Sequence, residues 1–387
     1  MRAQSLCFVF VAGLGAIAVG ACTTSERKDD GFLPPAGAGG AGAARGGASG
    51  SDGATGSGGA SAGNGSTDAS TTTRDGGGAG GGAGGASTDP RLDVNLVWKS
   101  TGCGKDLPAN QQPTTPGQRQ GYTEYHVMQT GATLAATDPS KAVDRLFWIR
   151  VPANYDKNKA YRVVYIGQGC GGGNGRDNTW TLFDESRGGS EQAIYVAMAL
   201  PPNNPNGACY DNEAGASSQE WEAFELFHKT VESKYCADNN RVYIAGYSSG
   251  GWVANMWGCY FAGIPDPPRK FAPGFRLRGQ AAVTGGLPAI PPCNGPVAAI
   301  WIHDAGDTAN VIAGNYAARD RVLAANGCAG SPTAPWAPMS DVCVQYTACP
   351  KQYPVVFCTT NGQGHGDQPT RAIPAFDKFF DMMDPMP

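Results

Sequence analysis

Short, almost uniformly apolar segments are the sequence feature that most constrains the fold of this chain. A strand is apolar throughout when both faces of its sheet are covered, whereas a strand with one face in water alternates apolar and polar residues. The segments therefore predict a mostly parallel sheet that is covered on both faces. They comprise residues 145–151, 161–167, 193–200, 241–246, 280–284, 297–303 and 353–360.

Helical patterns lie between or after several of these segments. Residues 217–235 place an apolar stripe on one helix face, residues 317–325 end at Asn326 and Gly327, and residues 374–383 carry Pro374 in what we expect to be a first turn. The stripe of the first pattern consists of Trp221, Phe224, Phe227 and Val231. Strands that alternate with helices predict an α/β fold with a doubly wound sheet and helices on both of its faces.

A serine motif follows the apolar segment that ends near residue 246. Residues 246–251 read Gly-Tyr-Ser-Ser-Gly-Gly, and an apolar, helix-compatible run occupies residues 252–257. A Gly-x-Ser-x-Gly motif between a strand and a helix is typical of the turn that exposes a nucleophilic serine. We predict that Ser248 is a nucleophile. The alternative is a glycine- and serine-rich turn without chemistry.

A nucleophilic serine needs a base, and the chain has only four histidines. In the fold that carries this serine turn, the acid and then the histidine follow the serine, which excludes the two histidines before Ser248. His303 ends an apolar segment, whereas His365 lies in the glycine-rich stretch 361–366. We predict His365 as the base, with His303 as the alternative.

The acid is expected after the segment that ends at His303. Asp304 is flush with that strand, and Asp307 lies in the loop beyond it, where its carboxylate has room to turn toward His365. We predict Asp307 as the acid, with Asp304 as the alternative. Its role would be to hold the imidazole tautomer and to stabilise the imidazolium, without accepting the proton.

A second glycine-rich loop is a candidate for binding the substrate oxygen. The segment ending at residue 167 runs into Gln168, Gly169, Cys170 and Gly171. We predict that the N–H groups of Cys170 and Ser249 form an oxyanion hole. The alternatives are a flexible loop or a phosphate-binding loop, but the Lys-Ser or Lys-Thr pair of a P-loop is missing.

The first quarter of the 387-residue chain has the composition of an export signal and a tether. Residues 1–22 contain one early Arg, an apolar run over residues 6–19 and Val-Gly-Ala-Cys at 19–22, which looks like a bacterial lipobox with Cys22 as the lipidated residue. The alternative is an ordinary cleaved signal. Residues 23–90, rich in Gly, Ala and Ser, predict a disordered tether, and residues 91–387 predict a single catalytic domain. We expect an exported protein that is anchored to the bacterial cell envelope by lipid alone, or is extracellular.

Ten of the twelve cysteines lie between Cys103 and Cys358. The other two are Cys7, which belongs to the predicted signal, and Cys22, the predicted anchor. An even number in an exported chain predicts disulfides, whose pairing the sequence leaves open. We expect some of them to brace the active site. No C-x-x-C spacing occurs and the histidines are scattered, so we predict neither a metal nor another cofactor. The net charge of −4 and the absence of a basic cluster argue against a nucleic acid partner.

With these residues placed, the chain from about residue 100 onward resembles the extracellular polyhydroxybutyrate depolymerase and feruloyl esterase family of α/β-hydrolases. The resemblance implies that Ser248, Asp307 and His365 form the triad and that Cys170 and Ser249 form the oxyanion hole. It is carried by Gly-Cys-Gly-Lys at 102–105, Val-Pro-Ala-Asn-Tyr-Asp at 151–156, Gly-Cys-Gly-Gly at 169–172, Lys-Tyr-Cys-Ala-Asp at 234–238, the serine motif at 246–251, His-Asp-Ala-Gly-Asp at 303–307, Ala-Arg-Asp-Arg at 318–321, Asn-Gly-Cys at 326–328, and Tyr-Pro-Val-Val-Phe-Cys at 353–358.

Three residues depart from the pattern of that family. Gln168 stands where the family usually has His, Asp304 stands where it has Gly, and His365 is followed by Gly366 and Asp367 rather than by a small residue and Trp-Pro. None of these changes removes an atom of the predicted triad. They concern the residues that flank the oxyanion loop and the base, and therefore bear on the substrate.

The resulting hypothesis is a serine esterase that acts through an acyl-enzyme. Its expected substrate is a feruloyl or acetyl ester of plant polysaccharide or a polyhydroxyalkanoate polyester. Tyr247, Trp252 and Trp180 are candidate substrate contacts, with ordinary packing as the alternative role. The rival hypothesis from another class is a non-catalytic surface module that binds glycan or protein. The sequence does not indicate an oligomeric state.

Overall fold

A ten-stranded sheet forms the centre of the computed structural model of this protein. The structure describes residues 93, 95–115, 121–129, 142–171, 183, 192–202, 209–210, 219–263, 276–286, 292–337, 339–366 and 369–383. The predictions for the signal, for Cys22, for the tether and for Trp180 lie outside these residues. No helix of the described residues is long and apolar enough to cross a bilayer.

The strands follow one another in the order β1-β2-β4-β3-β5-β6-β7-β10-β9-β8 across the sheet. The central six, from β4 to β10, run parallel, and antiparallel strands complete both edges. The strands are β1 Tyr122–Gln129, β2 Val143–Arg150, β3 Tyr161–Gly167, β4 Ala193–Met198, β5 Ala237–Tyr247, β6 Gly279–Val283, β7 Ala298–Asp304, β8 Thr333–Pro335, β9 Cys343–Tyr346 and β10 Val355–Thr360.

Within the part of the chain that the structure describes, four helices cover the sheet on both faces. Apolar side chains of α1 (Gln219–Lys234), α2 (Ser249–Tyr260) and α3 (Ala313–Ala325) share one buried cluster with the strands. The apolar face of α4 (Pro369–Asp381) belongs to a second cluster. Alternate residues of β3 enter the two clusters, so the clusters lie on opposite faces of the sheet. The predicted α/β-hydrolase fold, with a mostly parallel sheet between helices, is confirmed.

Some predicted boundaries were wrong. The last helix begins at Pro369, and Pro374 lies inside it rather than in its first turn. The sequence has a proline at both 369 and 374, and either could occupy the first turn of a helix. Buried Ala372 extends the apolar face upstream of Pro374. Strand β1 was missed because its residues alternate between exposed and buried, whereas the predicted strands were uniformly apolar segments. Strands β8 and β9 are only three and four residues long.

Five disulfides pair all ten cysteines between Cys103 and Cys358, as the even count predicted. Cys170 of the predicted oxyanion loop is bonded to Cys209. Cys358 of β10, the strand that leads toward His365, is bonded to Cys343. The others are Cys103–Cys236, Cys259–Cys293 and Cys328–Cys349. Such a set fits an oxidising compartment.

Four neighbouring strands end at the same edge of the sheet. Tyr247 of β5 is paired with Val283 of β6, and Asp304 of β7 is paired with Thr360 of β10. Because the strands are parallel, the loops that follow them emerge together. These loops carry the residues that the sequence singled out.

Candidate active site

Ser248 lies in a sharp turn between β5 and α2. Its φ of 55° is in the left-handed region, which is unusual for a residue with a side chain. A Cβ atom at Gly246 would collide with the backbone of Gly250, and one at Gly250 would collide with the backbone of Gly167. Glycine at these positions lets β5, α2 and the end of β3 approach closely enough to form the turn.

The structure brings Ser248, His365 and Asp307 together above this edge of the sheet. The Ser248 Oγ is 3.0 Å from the Nε2 of His365, and the Nδ1 of His365 is 2.8 Å from the Oδ2 of Asp307. Both distances are those of hydrogen bonds. The Ser248 hydroxyl can donate to Nε2 while the Nδ1–H donates to the carboxylate, which is the arrangement that removes a proton from serine.

The Asp307 carboxylate is shielded from solvent and is held by the backbone of its own loop. Its side chain has 0% exposure, compared with 26% for that of His365. The N–H groups of Ala309 and Asn310 donate to Oδ1 at 2.9 Å and 3.0 Å. Backbone donors of this kind stabilise a buried carboxylate. They leave Oδ2 directed at His365.

Asp304, the alternative acid, has a different set of partners. Its buried carboxylate accepts hydrogen bonds from the N–H of Gly306, the hydroxyl of Thr360 and the N–H of Gln363. Burial raises the pKa of this carboxyl, but these donors outweigh it and hold the pKa below the usual 3.8. Asp304 therefore joins the loop that carries Asp307 to the loop that carries His365.

His303, the alternative base, has its own partners in the interior. Its ring is buried, with Nε2 2.7 Å from the carbonyl oxygen of Asn310 and Nδ1 2.7 Å from the Nδ2 of Asn315. His126 is exposed on β1 beside Asp144 and Glu124. Only His365, of the four histidines, is within hydrogen-bonding distance of Ser248.

The predicted oxyanion residues lie at the same edge. Ser249 is the first residue of α2, so its N–H has no acceptor within the helix. Its hydroxyl donates to the carbonyl oxygen of Gln168 at 2.9 Å and fastens the loop after β3 to the serine turn. Cys170 is exposed two residues further along, and a Cβ atom at Gly169 would touch the Cβ of Ser248 at 3.4 Å.

Two of the candidate substrate contacts have partners within the protein. The Tyr247 hydroxyl donates to the carbonyl oxygen of His365 at 3.0 Å, and the two rings are 5.4 Å apart between centroids. The indole N–H of Trp252 donates to the Oδ1 of Asn310 at 3.3 Å. Both side chains therefore help to hold the loops of the site. Trp180 lies outside the described residues.

Sequence reasoning missed the part played by Asn310. Its N–H donates to Asp307, its Nδ2 donates to the carbonyl oxygen of Thr284 at 2.7 Å, and its Oδ1 accepts from Trp252. An Asp that accepts from the N–H groups two and three residues later is a common local turn. That spacing was the available signal, whereas the contacts to Thr284 and Trp252 depend on the tertiary fold.

A surface depression of about 490 Å³ lies elsewhere, at the β1–β2–β4 side of the sheet. His126, Asp144, Leu146 and Leu200 are among its lining residues, and it shares none with the triad. Among the residues that the structure describes, no cluster of three or more His, Cys, Asp or Glu side chains is arranged to hold a metal ion.

Comparison with known proteins finds similarity to fungal esterases. The feruloyl esterase D of Neurospora crassa is 25% identical over 287 residues, which cover 70% of this chain and 83% of that protein. A probable feruloyl esterase C of Aspergillus clavatus is 26% identical over 239 residues, covering 58% of this chain and 77% of the relative. No family model matches the chain. Among solved structures, a ferulic acid esterase from Anaeromyces mucronatus aligns with 73% of this chain and 98% of its own, with a TM-score of 0.41 and 14% identity.

Proposed function

We propose that this protein is a serine esterase that hydrolyses carboxylic esters through an acyl-enzyme. One observation carries the proposal: Ser248 Oγ, the His365 ring and the Asp307 carboxylate are connected by contacts of 3.0 Å and 2.8 Å. The serine turn at the end of β5 adds support, because its left-handed conformation is typical of the turn that presents a nucleophilic serine at the sheet edge.

In the first half-reaction, Ser248 Oγ attacks the ester carbonyl carbon while His365 Nε2 takes the serine proton. The negative charge that develops on the carbonyl oxygen is stabilised by the N–H groups of Cys170 and Ser249. His365 then gives its proton to the departing alcohol, and the acyl group stays on Ser248. Water repeats the sequence to release the acid and restore the serine. Asp307 keeps its charge throughout and stabilises the protonated imidazole.

The proposed substrates are feruloyl or acetyl esters attached to plant polysaccharide. The names of the fungal relatives, which describe feruloyl esterases, favour the feruloyl ester. Polyhydroxyalkanoate polyester is the second candidate. Rates on methyl ferulate, on an acetylated sugar and on a hydroxybutyrate oligomer distinguish the three, and we expect the highest kcat/KM on methyl ferulate.

Replacement of the nucleophile tests the catalytic role of Ser248. We expect Ser248→Ala to lower turnover of a p-nitrophenyl ester by about 10⁴- to 10⁶-fold, because the acyl-enzyme cannot form. Ser233→Ala, which removes a hydroxyl from the exposed end of α1, should leave turnover unchanged. Near-normal activity of Ser248→Ala would contradict the assignment.

Labelling separates the esterase from a non-catalytic binding module. A fluorophosphonate should modify the wild-type chain once, at Ser248, and should not modify Ser248→Ala. A wild-type chain that resists the probe and hydrolyses none of the three esters would favour the module that binds glycan or protein.

We also propose that Cys22 is lipidated and anchors the exported protein to the bacterial cell envelope. The support is the Val-Gly-Ala-Cys sequence at 19–22 after an apolar run. Cys22→Ala should move the protein from the membrane fraction to the soluble fraction of cells, as measured by immunoblotting. Unchanged retention in the membrane would count against the anchor.

A further inference from the structure

A chain of buried polar side chains leads from the centre of the sheet to the candidate acid. The indole N–H of Trp301 is 2.7 Å from the Oδ1 of Asn255, and the Nδ2 of Asn255 is 2.8 Å from the Oδ1 of Asn315. Asn315 Nδ2 then lies 2.7 Å from the Nδ1 of His303. The four side chains come from β7, α2 and α3, and all four residues have 0% exposure.

The direction of every hydrogen bond in this chain is fixed by its first member. An indole N–H can only donate, so the atom of Asn255 that faces Trp301 must be its oxygen. The amide nitrogen of Asn255 then donates to Asn315 and to the carbonyl oxygen of Gly285, which lies 2.6 Å away and can only accept. The amide nitrogen of Asn315 is consequently the group that faces His303. His303 Nδ1 therefore accepts and carries no proton.

The other nitrogen of His303 faces the loop of the candidate acid. Nε2 is 2.7 Å from the carbonyl oxygen of Asn310, which can only accept, so Nε2 carries the proton. It also lies 3.4 Å from the Oδ2 of Asp307, the oxygen that faces His365. An imidazole with a proton on Nε2 and none on Nδ1 is neutral.

We propose that His303 is a positioning residue, held by Asn255 and Asn315 as a neutral imidazole with its proton on Nε2, which fixes the loop of Asp307 and leaves the charge of Asp307 to His365. The inference rests on the proposed function for its catalytic consequence. A protonated His303 would be a second cation beside Asp307 and would compete with the imidazolium that forms on His365 during the reaction.

The charges that face His303 are those of Asp307, Asp304 and His365. Burial lowers the pKa of His303 below its usual 6.5, the contact with the Asn310 carbonyl and the two carboxylates oppose that shift, and His365 adds to it. The net lowering agrees with the neutral ring that the hydrogen-bond directions require.

Nuclear magnetic resonance of the wild-type protein tests the protonation state without using activity. The chain has four histidines, so ¹⁵N-histidine labelling gives few signals. Replacing the other three histidines one at a time identifies the signals of His303. We expect His303 to show a protonated Nε2 and an unprotonated Nδ1 at pH 7, and to gain a second proton only at a lower pH than the exposed His126, which serves as the reference. A proton on Nδ1 at pH 7, or titration of His303 at or above the pH at which His126 titrates, would overturn the proposal.

Kinetics test the consequence for catalysis, with His228 as a matched control. His228 is also buried, and its two ring nitrogens are hydrogen-bonded to Tyr165 and Asn239. It lies on α1, outside the loop that carries Asp307. We expect His303→Leu to lower kcat by about 10- to 100-fold with little change in KM, because the acid loop shifts. His228→Leu should lose stability but keep kcat within about twofold, since it misplaces no reacting group.

The two variants are compared per active site, counted by fluorophosphonate labelling. Equal kcat values for His303→Leu and His228→Leu would show that His303 has only a packing role and would overturn the proposal. A wild-type chain with no esterase activity would instead contradict the proposed function, while the resonance experiment would still decide the state of His303.

Discussion

Asp304 connects the loop that carries Asp307 to the loop that carries His365 through one buried carboxylate. Its partners lie in three places: Gly306 before Asp307, Thr360 at the end of β10, and Gln363 two residues before His365. The relative position of Asp307 and His365, the candidate acid and base, therefore depends on a charge that takes no part in the proposed chemistry.

Asp304→Asn should destabilise the protein and lower its activity. The amide would direct an N–H at groups that are themselves donors, so we expect a loss of about 2 kcal/mol in the free energy of unfolding, measured by urea denaturation. The control is Asp320→Asn, which alters an exposed carboxylate paired with Arg319 and should change stability by less than about 1 kcal/mol. Equal stabilities of the two variants would argue against the bridging role of Asp304.

The same carboxylate predicts a pH dependence of stability. Because its pKa is lower in the folded protein than the usual 3.8, its contribution is complete above about pH 4 and is lost as the pH falls through the lower, folded value. The difference in unfolding free energy between wild type and Asp304→Asn should therefore be constant from pH 5 to pH 7 and shrink below about pH 4. A difference that grows on acidification would have the wrong sign for this mechanism.

The candidate triad could be predicted at the residue scale, but the residues that support it could not. Ser248 is marked by the glycines around it, and His365 and Asp307 are marked by their place in loops after apolar segments. Asn255, Asn315 and Asn310 carry no comparable signal, because an asparagine in a helix or a loop is ordinary. Their roles arise only when α2, α3 and β7 pack together.

At the scale of elements, the turn from β5 to α2 depends on the close approach of three backbone segments. A Cβ atom at Gly250 would lie 2.8 Å from the N of Gln168 and closer still to the backbone of Gly167. The end of β3, which leads to the predicted oxyanion loop, therefore packs in direct contact with the first turn of α2.

Gly250→Ala should separate these two segments and cost about 3 kcal/mol in the free energy of unfolding, because backbone atoms cannot move aside as a side chain can. Gly366→Ala is the matched control, since a Cβ atom there would meet nothing within 4 Å. Its stability should stay within about 0.5 kcal/mol of wild type. Thermal unfolding followed by circular dichroism measures both, and a stable Gly250→Ala would disprove the tight contact.

The elements themselves were predictable where their residues are apolar on both faces. Strand β3 has the predicted bounds of Tyr161–Gly167, and all seven of its residues are buried. The edge strand β1 was not predictable in this way, since exposed Glu124 and His126 interrupt its apolar positions. Strand β5 starts at Ala237, four residues before the predicted start, because Asp238, Asn239 and Asn240 are buried by tertiary contacts that override their low strand propensity.

At the scale of the whole described chain, two disulfides fasten opposite ends of the parallel strands. The Cys170–Cys209 bond follows β3, close to Ser248. The Cys103–Cys236 bond precedes β5, whose residues from Ala237 to Gly246 lie alongside the seven residues of β3, a length of about 20 Å. One bond therefore lies beside the candidate site and the other lies at the far edge of the sheet.

Removal of either bond should lower stability, but only removal of the Cys170–Cys209 bond should lower catalytic activity. The bonds join residues 39 and 133 positions apart, so loop entropy predicts losses of about 4 and about 5 kcal/mol, respectively, when both cysteines are replaced by serine. We expect kcat to fall by about tenfold or more only in the Cys170→Ser, Cys209→Ser variant, because only there does the predicted oxyanion loop gain freedom. A similar fall in kcat for both double variants would argue against a local role of the Cys170 bond.

The place where the described chain joins the sheet has a practical consequence. Lys99 pairs with Asp238 at the start of β5, whereas Ser248 follows the end of that strand. Coupling the protein to a resin or an electrode through the residues just before Lys99 would place the support at the edge of the sheet opposite the edge that carries Ser248. The edge of the sheet that carries Ser248 would then face away from the support.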